Sequence, residues 1–135
     1  MKANELMIGD KVMVKVLSQI PDTYVLHTWT ANDYSRDIQV KPFTLTPEIL
    51  EKNGFYYGRN SQWYCKRFYS NGCFDIAISL VYREIEVLKV CCAGTDCEEE
   101  EYGSSIAFGN DICVHTLQHA LRLCGLNEIA DNFKV

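Results

Sequence analysis

Hydrophobic and polar residues alternate along several short stretches of the chain, with the period of two expected for half-buried β-strands. In the first of these stretches Val12, Val14 and Val16 share one face. In residues 73–82 one face is apolar and carries Phe74, Ile76, Ile78 and Leu80. Composition and alternation also predict strands at residues 23–29, 36–40, 56–57, 62–69, 84–92 and 102–108. The chain is therefore expected to contain N-terminal β-strands within 1–42 and a β-meander within 55–108.

Local turn signals indicate how these strands pair. Asn71 and Gly72 both tolerate the positive φ of a type I′ turn, which predicts that strands 62–69 and 73–82 are antiparallel neighbours. Pro21-Asp22 is predicted to turn the chain between the first two strands. The apolar residues of 84–92 change phase at Val87-Leu88. This change indicates either a β-bulge at that point or a strand that is buried on both faces.

A short helix is predicted at residues 46–54, because this stretch carries a start signal and a stop signal. Thr46 is placed to cap the first turn, Pro47 suits the first helical position, and Gly54 can adopt the left-handed exit. A helix of about two turns is unstable by itself, so it must pack against other elements. Ile49, Leu50 and Phe55 are the residues expected to pack it.

A second helix is predicted within residues 111–125, with Asp111 as its N-cap and Gly125 as its terminating residue. Its apolar stripe is expected to face the sheet and consists of Cys113, Leu117, Ala120, Leu121 and Cys124. Its polar side is expected to be available for contacts and consists of His115, Gln118, His119 and Arg122. A last helical turn is predicted around residues 128–130, with Phe133 as an anchor.

These elements predict one α+β domain spanning residues 1–135. In this fold, SH3-like N-terminal strands and the meander form a strongly twisted antiparallel sheet, which packs against the short central helix and the C-terminal helix. The pattern does not decide whether the N-terminal strands continue the later sheet or form a separate lobe.

Composition narrows the class of protein. Hydrophobic residues make up 47% of the chain and charged residues 23%, as in globular proteins, and no apolar run has the length of a membrane span. No export signal is evident near the N-terminus, so the cytoplasm is the expected location. The net charge of −5 argues against unspecific binding to nucleic acid. Seven cysteines form an odd set, which favours free thiols, and their spacing does not match a zinc ribbon.

The two histidines of the second helix are the first candidates for chemistry. His115 and His119 are four residues apart, the spacing with which zinc proteases bind their metal ion. In those enzymes a glutamate follows the first histidine, whereas this chain has Thr116. Cys113 and His115 are two positions apart and therefore point in divergent directions on a helix. We predict no catalytic residue, no metal site and no cofactor, with an enzyme of unknown reaction as one alternative.

Aromatic and basic residues are interleaved in the meander, and such surfaces stack bases or nucleotides. The predicted ligand-binding or partner-binding residues of this region are Tyr56, Tyr57, Arg59, Trp63 and Lys66. His115, His119 and Arg122 on the second helix are predicted to contribute a further contact face. A nucleic-acid-binding accessory protein is the other alternative, and it requires a basic stripe formed by Lys11, Lys15, Lys66 and Arg67 on one surface.

Three stretches of the sequence carry a resemblance: Ile8-Gly9-Asp10, residues 45–55, and residues 114–125 together with 130–135. They resemble a family of small uncharacterised proteins of Bacteroides-type bacteria, their phages and mobile elements. In that family a glutamate often stands where this chain has Thr116. The resemblance implies a small non-enzymatic binding protein that blocks a host defence system, either by binding a host protein or by sequestering a signalling nucleotide. Homo-oligomers are compatible with this role, and membrane association is not expected.

Overall fold

Two antiparallel sheets and three short helices form the described part of the chain. The structure is a computed structural model, and it describes residues 5–16, 21, 23–59, 61–69, 73–90 and 102–135. The predicted α+β class is confirmed. The elements are β1 Lys11–Val16, β2 Thr23–Thr28, β3 Val40–Pro42, α1 Pro47–Lys52, β4 Tyr56–Gly58, β5 Trp63–Tyr69, β6 Cys73–Ser79, β7 Glu84–Val90, β8 Tyr102–Ala107, α2 Val114–Leu123 and α3 Asn127–Asp131.

The chain divides into two compact units, which we describe separately. Unit 1 comprises residues 1–44, 113–133 and 135, and unit 2 comprises residues 45–112 and 134. The N-terminal strands form a sheet of their own in unit 1, while the meander forms the sheet of unit 2. The predicted turn residues Asp22, Asn71 and Gly72, and residues 91–101 with their four glutamates, lie outside the described residues.

Unit 1 contains a three-stranded sheet in the order β2-β1-β3. The predicted pairing of the first two strands is confirmed, with Met13 opposite Leu26. The third strand begins at Val40 and not at residue 36, because the pairing with β1 starts only at Val40; a 3-10 helix at Ala31–Ser35 and residues 36–39 precede it. Val12 is fully buried against a cluster that includes Leu6 and Trp29. This cluster defines the inner face of the sheet.

Helix α2 begins two residues later than the sequence indicates. The N-cap is Cys113, and its backbone N–H donates a 3.1 Å hydrogen bond to the Thr116 hydroxyl. Asp111 does not cap the helix, because its carboxylate faces the Arg83 guanidinium at 3.3 Å within unit 2. The predicted exit at Gly125 is confirmed by its positive φ of 77°. The final turn is also confirmed as α3, with Ala130 and Phe133 buried.

Unit 2 contains a five-stranded sheet in the order β4-β5-β6-β7-β8. Tyr69 pairs with Cys73, so the strands on either side of the predicted hairpin turn are antiparallel neighbours as expected. The register between β6 and β7 runs without interruption, which excludes the bulge proposed at Val87-Leu88. Both of these residues are half-buried instead, which fits the alternative that β7 is shielded on both faces.

Helix α1 has the caps that its sequence predicts. The Thr46 hydroxyl accepts a hydrogen bond from the Ile49 amide at 3.3 Å, Pro47 is the first helical residue, and Gly54 has a φ of 84°. Ile49, Leu50 and Phe55 are all buried, which confirms their predicted packing role. In the part of the chain that the structure describes, no helix is long and apolar enough to cross a membrane.

Candidate functional site

A buried carboxylate joins the first turn of unit 1 to helix α2. Asp10 is fully buried, and its oxygens lie 2.6 Å from His119 Nε2 and 2.5 Å from Arg122 Nη1. The backbone N–H of Met7 donates a third hydrogen bond of 2.8 Å to the same carboxylate. Arg122 also reaches the carboxylate of Asp131 at 3.2 Å, which adds α3 to the network. Sequence reasoning did not identify Asp10 or Asp131 as part of a site.

Gly9 allows the helix to approach this turn closely. Its φ of 94° lies in the left-handed region that favours glycine. A Cβ at this position would lie 2.7 Å from Asp131 Oδ1 and 2.9 Å from Arg122 Nη2, which is closer than real contacts permit. The Gly9-Asp10 sequence therefore combines the backbone shape and the charge that the network needs.

The side-chain amide of Gln118 forms hydrogen bonds that hold helix α2 on the Gly9-Asp10 turn. The amide nitrogen donates to the carbonyl oxygens of Gly9 at 2.9 Å and Ala130 at 2.8 Å, and the amide oxygen accepts from the Lys11 backbone N–H at 2.8 Å. The residue is fully buried. A buried polar group is tolerated when its hydrogen bonds are satisfied, and here three of them are made.

His115 is buried beside this network, with its ring centroid 5.6 Å from that of His119. Among the described residues, no group forms a hydrogen bond with its Nδ1. The predicted exposure of the polar side of α2 is therefore wrong for His115 and Gln118, which are buried, while His119 and Arg122 are only partly accessible. His119 and Arg122 are drawn inward by Asp10, and Gln118 by the backbone groups of Gly9, Lys11 and Ala130.

Hydrogen bonding determines the charge state of Asp10. Burial alone would raise the pKa of this carboxyl, but hydrogen bonds from His119, the Met7 amide and Arg122 outweigh burial and lower its pKa below the ordinary value. The carboxylate is thus ionised at neutral pH and fully engaged. An engaged carboxylate of this kind holds a structure together but has little capacity to act as a general base.

A second buried carboxylate in unit 1 is satisfied in the same way. Asp33 accepts from the Thr30 amide at 2.7 Å and the Thr30 hydroxyl at 2.9 Å, and it lies 2.8 Å from His27 Nε2. Burial tends to raise its pKa, but the contacts with His27 and Thr30 lower it overall. Asp33 therefore fastens the start of the 3-10 helix.

Burial lowers the pKa of His115, because the charged imidazolium is disfavoured away from water. The unfolded chain then takes up a proton at higher pH than the folded chain does. Stability due to this residue is present above the unfolded pKa of about 6.5 and is lost as the pH falls towards the lowered folded pKa. We expect the free energy of unfolding to fall between pH 7.5 and pH 5, with a slope of at most about 1.4 kcal/mol per pH unit from this one proton.

Urea denaturation at half-unit pH steps measures this slope. His115→Phe keeps a planar ring but removes the titrating group, so its slope over the same pH range should be smaller than that of the wild type. An identical slope in the two proteins would contradict the assignment of this pH dependence to His115.

The predicted aromatic and basic residues of unit 2 do not form one surface. Tyr56 and Trp63 lie on one face of the sheet, while Tyr57 and Lys66 lie on the other, as their cross-strand partners require. Tyr57 stacks on Tyr64 with centroids 5.0 Å apart. Lys66 donates a 2.7 Å hydrogen bond to the Asn53 carbonyl, so its charge caps α1. Arg59 is exposed near the end of β4.

The outer face of the unit 2 sheet carries a shallow depression that sequence reasoning only partly identified. We define the outer face as the side that holds Tyr56, Cys65, Arg67, Asp75 and Ala77, which pair across β4, β5 and β6. These residues line a space of about 430 Å³, to which Lys66 and Ile76 also contribute atoms although their register positions belong to the opposite face. The opposite face carries the fully buried Ile76, Ile78 and Ile85. The outer face is therefore the accessible side of the sheet.

Arg67 and Asp75 both line this depression and form a bidentate ion pair. Arg67 Nε lies 2.6 Å from Asp75 Oδ1, and Nη2 lies 2.8 Å from Oδ2. The hydrogen bonds and charge of Asp75 raise the pKa of Arg67, so the guanidinium stays cationic. Burial raises the pKa of the Cys65 thiol, which keeps it protonated at neutral pH. The period of two in β5 and β6 was the signal that placed Arg67 and Asp75 on one face.

Two of the four residues that the nucleic-acid alternative requires on one surface, Lys66 and Arg67, do not share a face. Lys66 and Arg67 are neighbours in β5, so their side chains leave opposite faces of the sheet. Lys11 and Lys15 lie together on one face of β1 in unit 1. In the described ranges, no group of three or more histidine, cysteine, aspartate or glutamate side chains is placed to hold a metal ion.

Comparison with known proteins adds no relative. No protein-family model, no curated protein and no solved structure matches the chain.

Proposed function

We propose that the chain is a non-enzymatic binding protein whose ligand site is the depression on the outer face of the unit 2 sheet. One observation carries this proposal: an exposed aromatic ring and a guanidinium held by an ion pair line the same accessible depression. Tyr56 is 66% exposed, and it lines the depression together with the Arg67–Asp75 pair. The volume of about 430 Å³ lies in the range of small-molecule sites.

The aromatic and cationic groups that line the depression suit a nucleotide. An exposed tyrosine ring offers a face for stacking a base, a contact that does not depend on hydrogen bonding to a particular base. Asp75 engages Nε and Nη2 of Arg67, and the guanidinium as a whole carries five N–H donors in a planar fork that suits phosphate. Asp75 holds that fork in place before a ligand arrives, which reduces the entropy lost on binding.

The buried ionisable groups support a binding role over a catalytic one. Asp10, His119 and Arg122 satisfy one another, and Asp33 is paired with His27 and Thr30. The Cys65 thiol beside the hollow is protonated at neutral pH, which removes its nucleophilic form. The two buried carboxylates and their partners are therefore engaged in holding the fold.

The resemblance to proteins of phages and mobile elements supplies a setting for this role. In that setting the chain acts in the cytoplasm of a bacterial host and withdraws a signalling nucleotide from a defence system. A host protein as the partner is the alternative, and size-exclusion chromatography with light scattering on the chain purified from its host tests it. A stoichiometric copurifying protein would favour the alternative.

A thermal-shift screen followed by isothermal titration tests the nucleotide proposal. The screen covers mononucleotides, cyclic nucleotides and cyclic dinucleotides. A ligand at about 100 times its dissociation constant stabilises the fold by about 2.7 kcal/mol, so we expect the melting temperature to rise by about 5–10 °C. Tyr56→Ala and Arg67→Gln should each weaken binding by about tenfold or more, because stacking and phosphate contacts are each worth over about 1 kcal/mol.

Tyr82→Ala is the matched control, because Tyr82 is an equally exposed tyrosine of unit 2 that does not line the hollow. It should bind like the wild type. A complete screen without any shift, or equal losses in Tyr56→Ala and Tyr82→Ala, would overturn the assignment of the site.

A further inference from the structure

Four side chains form a row across the outer face of the unit 2 sheet, and the last of them lies beside the depression. The row takes one residue from each of the strands β4, β5, β6 and β7. The strand register gives their order as Tyr56, Cys65, Ala77 and Glu86. The first three line the depression. Glu86 therefore lies on the β7 side of the depression, and Tyr56 lies on its β4 side.

The two middle side chains of this row are short, whereas the two end ones are long. Cys65 and Ala77 lie between Tyr56 and Glu86 and form an open floor. Adjacent strands are about 4.8 Å apart, so about 14 Å separates the backbone of β4 from that of β7. A purine base is narrower than this span. It can therefore contact the Tyr56 ring and present its polar edge to Glu86.

The carboxylate of Glu86 is accessible and close to the depression. Glu86 is an exposed residue. Burial is the main cause of the raised pKa of the Cys65 thiol, and the negative charges of Asp75 and Glu86 add to it, which puts the Glu86 charge near the floor. Among the residues that the structure describes, none forms a hydrogen bond or an ion pair with this carboxylate. Both of its oxygens are thus able to accept hydrogen bonds from a ligand.

The charges around the depression determine which end of a nucleotide lies at Glu86. Arg67 is two residues along β5 from Cys65 and two strands away from Glu86, which gives a backbone separation of about 12 Å. A phosphate at Arg67 is then about one Debye length or more from the Glu86 carboxylate. The reverse orientation brings two anions together, so the uncharged base lies at Glu86.

We propose that Glu86 selects a guanine nucleotide for this site. The inference rests on the proposed function and assigns the base that stacks on Tyr56. A carboxylate only accepts hydrogen bonds, and guanine offers it two adjacent donors, N1–H and the 2-amino group. Adenine and cytosine each present an amino group beside a ring nitrogen that is an acceptor, and uracil presents one N–H between two carbonyl oxygens. These acceptors repel a carboxylate, so guanine is the base that suits it.

Isothermal titration with GMP, IMP and AMP tests the inference. IMP keeps the N1–H group of GMP and lacks the 2-amino group, so it should lose one of the two hydrogen bonds. We expect IMP to bind about tenfold more weakly than GMP, because a hydrogen bond to a charged group contributes about this factor. AMP should bind at least about tenfold more weakly than GMP for the same reason.

Glu86→Gln keeps the length of the side chain and removes its charge. This variant should bind GMP about tenfold more weakly than the wild type, with little change for AMP. It should also bind xanthosine monophosphate at least about fivefold more tightly than the wild type does. In that nucleotide a carbonyl oxygen replaces the 2-amino group, and an amide can accept from N1–H and donate to this oxygen. A variant that failed to fold could not show such a gain.

Glu84→Gln is the matched control, because Glu84 lies two positions earlier on the same strand and the same face. Its cross-strand partner, Ser79, does not line the depression. The substitution removes the same charge nearby, but the ratio of GMP affinity to IMP affinity should stay at the wild-type value. Tyr56→Ala should weaken binding of GMP, IMP and AMP alike, because a tyrosine ring stacks on any base.

The outcomes distinguish failure of this inference from failure of the proposed function. If the wild type bound GMP, IMP and AMP equally, or if Glu86→Gln kept the wild-type ratio of their affinities, selection by Glu86 would be overturned and the nucleotide site would remain. A loss of that ratio in Glu84→Gln as large as in Glu86→Gln would also overturn it. Absence of binding by every nucleotide of the wider screen would overturn the proposed function and this inference together.

Discussion

Asp10→Ala is expected to destabilise the chain by about 3–5 kcal/mol, the largest single effect that the structure predicts. The substitution leaves Arg122 and His119 in a site built around a carboxylate that is no longer there. Removing one partner of a buried ion pair costs about this much, because the remaining charge is left without compensation. Urea denaturation at pH 7 measures the loss, which corresponds to a fall in melting temperature of about 10–20 °C.

Asp131→Ala is the control for this substitution. Asp131 also contacts Arg122, but its side chain is 57% exposed, and an exposed ion pair contributes about 0–1 kcal/mol. The double variant Asp10→Ala with Arg122→Met should recover part of the stability, because it removes the uncompensated charge as well. If Asp10→Ala and Asp131→Ala lost equal stability, Asp10 would not be the centre of the network.

Local sequence signals predicted the elements of the fold well. The caps of α1, the exit of α2 at Gly125 and the pairing of β5 with β6 each depend on a few neighbouring residues. Such signals act over one turn, so a single sequence contains them. The division of the strands into two sheets depends on contacts between distant residues, and no local signal encodes it.

The N-terminus of α2 shows where a local signal was misleading. Asp111 is a preferred N-cap residue, yet Arg83, 28 positions earlier, takes its carboxylate. Cys113 caps instead, and the Thr116 hydroxyl accepts the hydrogen bond that a glutamate carboxylate at this position accepts in other helices. Thr116 therefore has a structural role, because it satisfies the backbone N–H of the N-cap residue.

The network around Asp10 was missed because polarity was equated with exposure. His115, His119 and Arg122 follow the spacing i, i+4, i+7, which is the spacing of a helix face that packs against something. Leu123, which lies outside both this face and the predicted apolar stripe, is 81% exposed, so hydrophobicity alone did not define the buried surface. The additional signal was Gly9-Asp10, since a glycine with positive φ followed by an acidic residue can bring a carboxylate against a basic helix face.

The residues of this network come from three separate segments of the chain. Gly9 and Asp10, then Gln118, His119 and Arg122, and finally Ala130 and Asp131 come together in unit 1. Their identities are explained by hydrogen bonding and close packing within the unit.

Gln118→Leu is expected to destabilise the chain by about 2–4 kcal/mol, although the substitution makes the residue more hydrophobic. The Gly9 carbonyl and the Lys11 amide lose the partner that Gln118 provides, and each buried unsatisfied group costs about 1–3 kcal/mol. The Ala130 carbonyl keeps a hydrogen bond from the Phe133 amide at 3.3 Å, so it contributes less. The transfer of leucine from water offsets part of the loss.

Equilibrium unfolding of Gln118→Leu beside Gln39→Leu measures this cost. Gln39 is exposed, so its substitution should change the free energy of unfolding by less than about 0.5 kcal/mol. Hydrogen exchange gives a second measure, because the Lys11 amide should lose protection in Gln118→Leu before the strand amides of β1 do. If Gln118→Leu were as stable as the wild type, the three hydrogen bonds of this amide would not be needed to hold α2 on the Gly9-Asp10 turn.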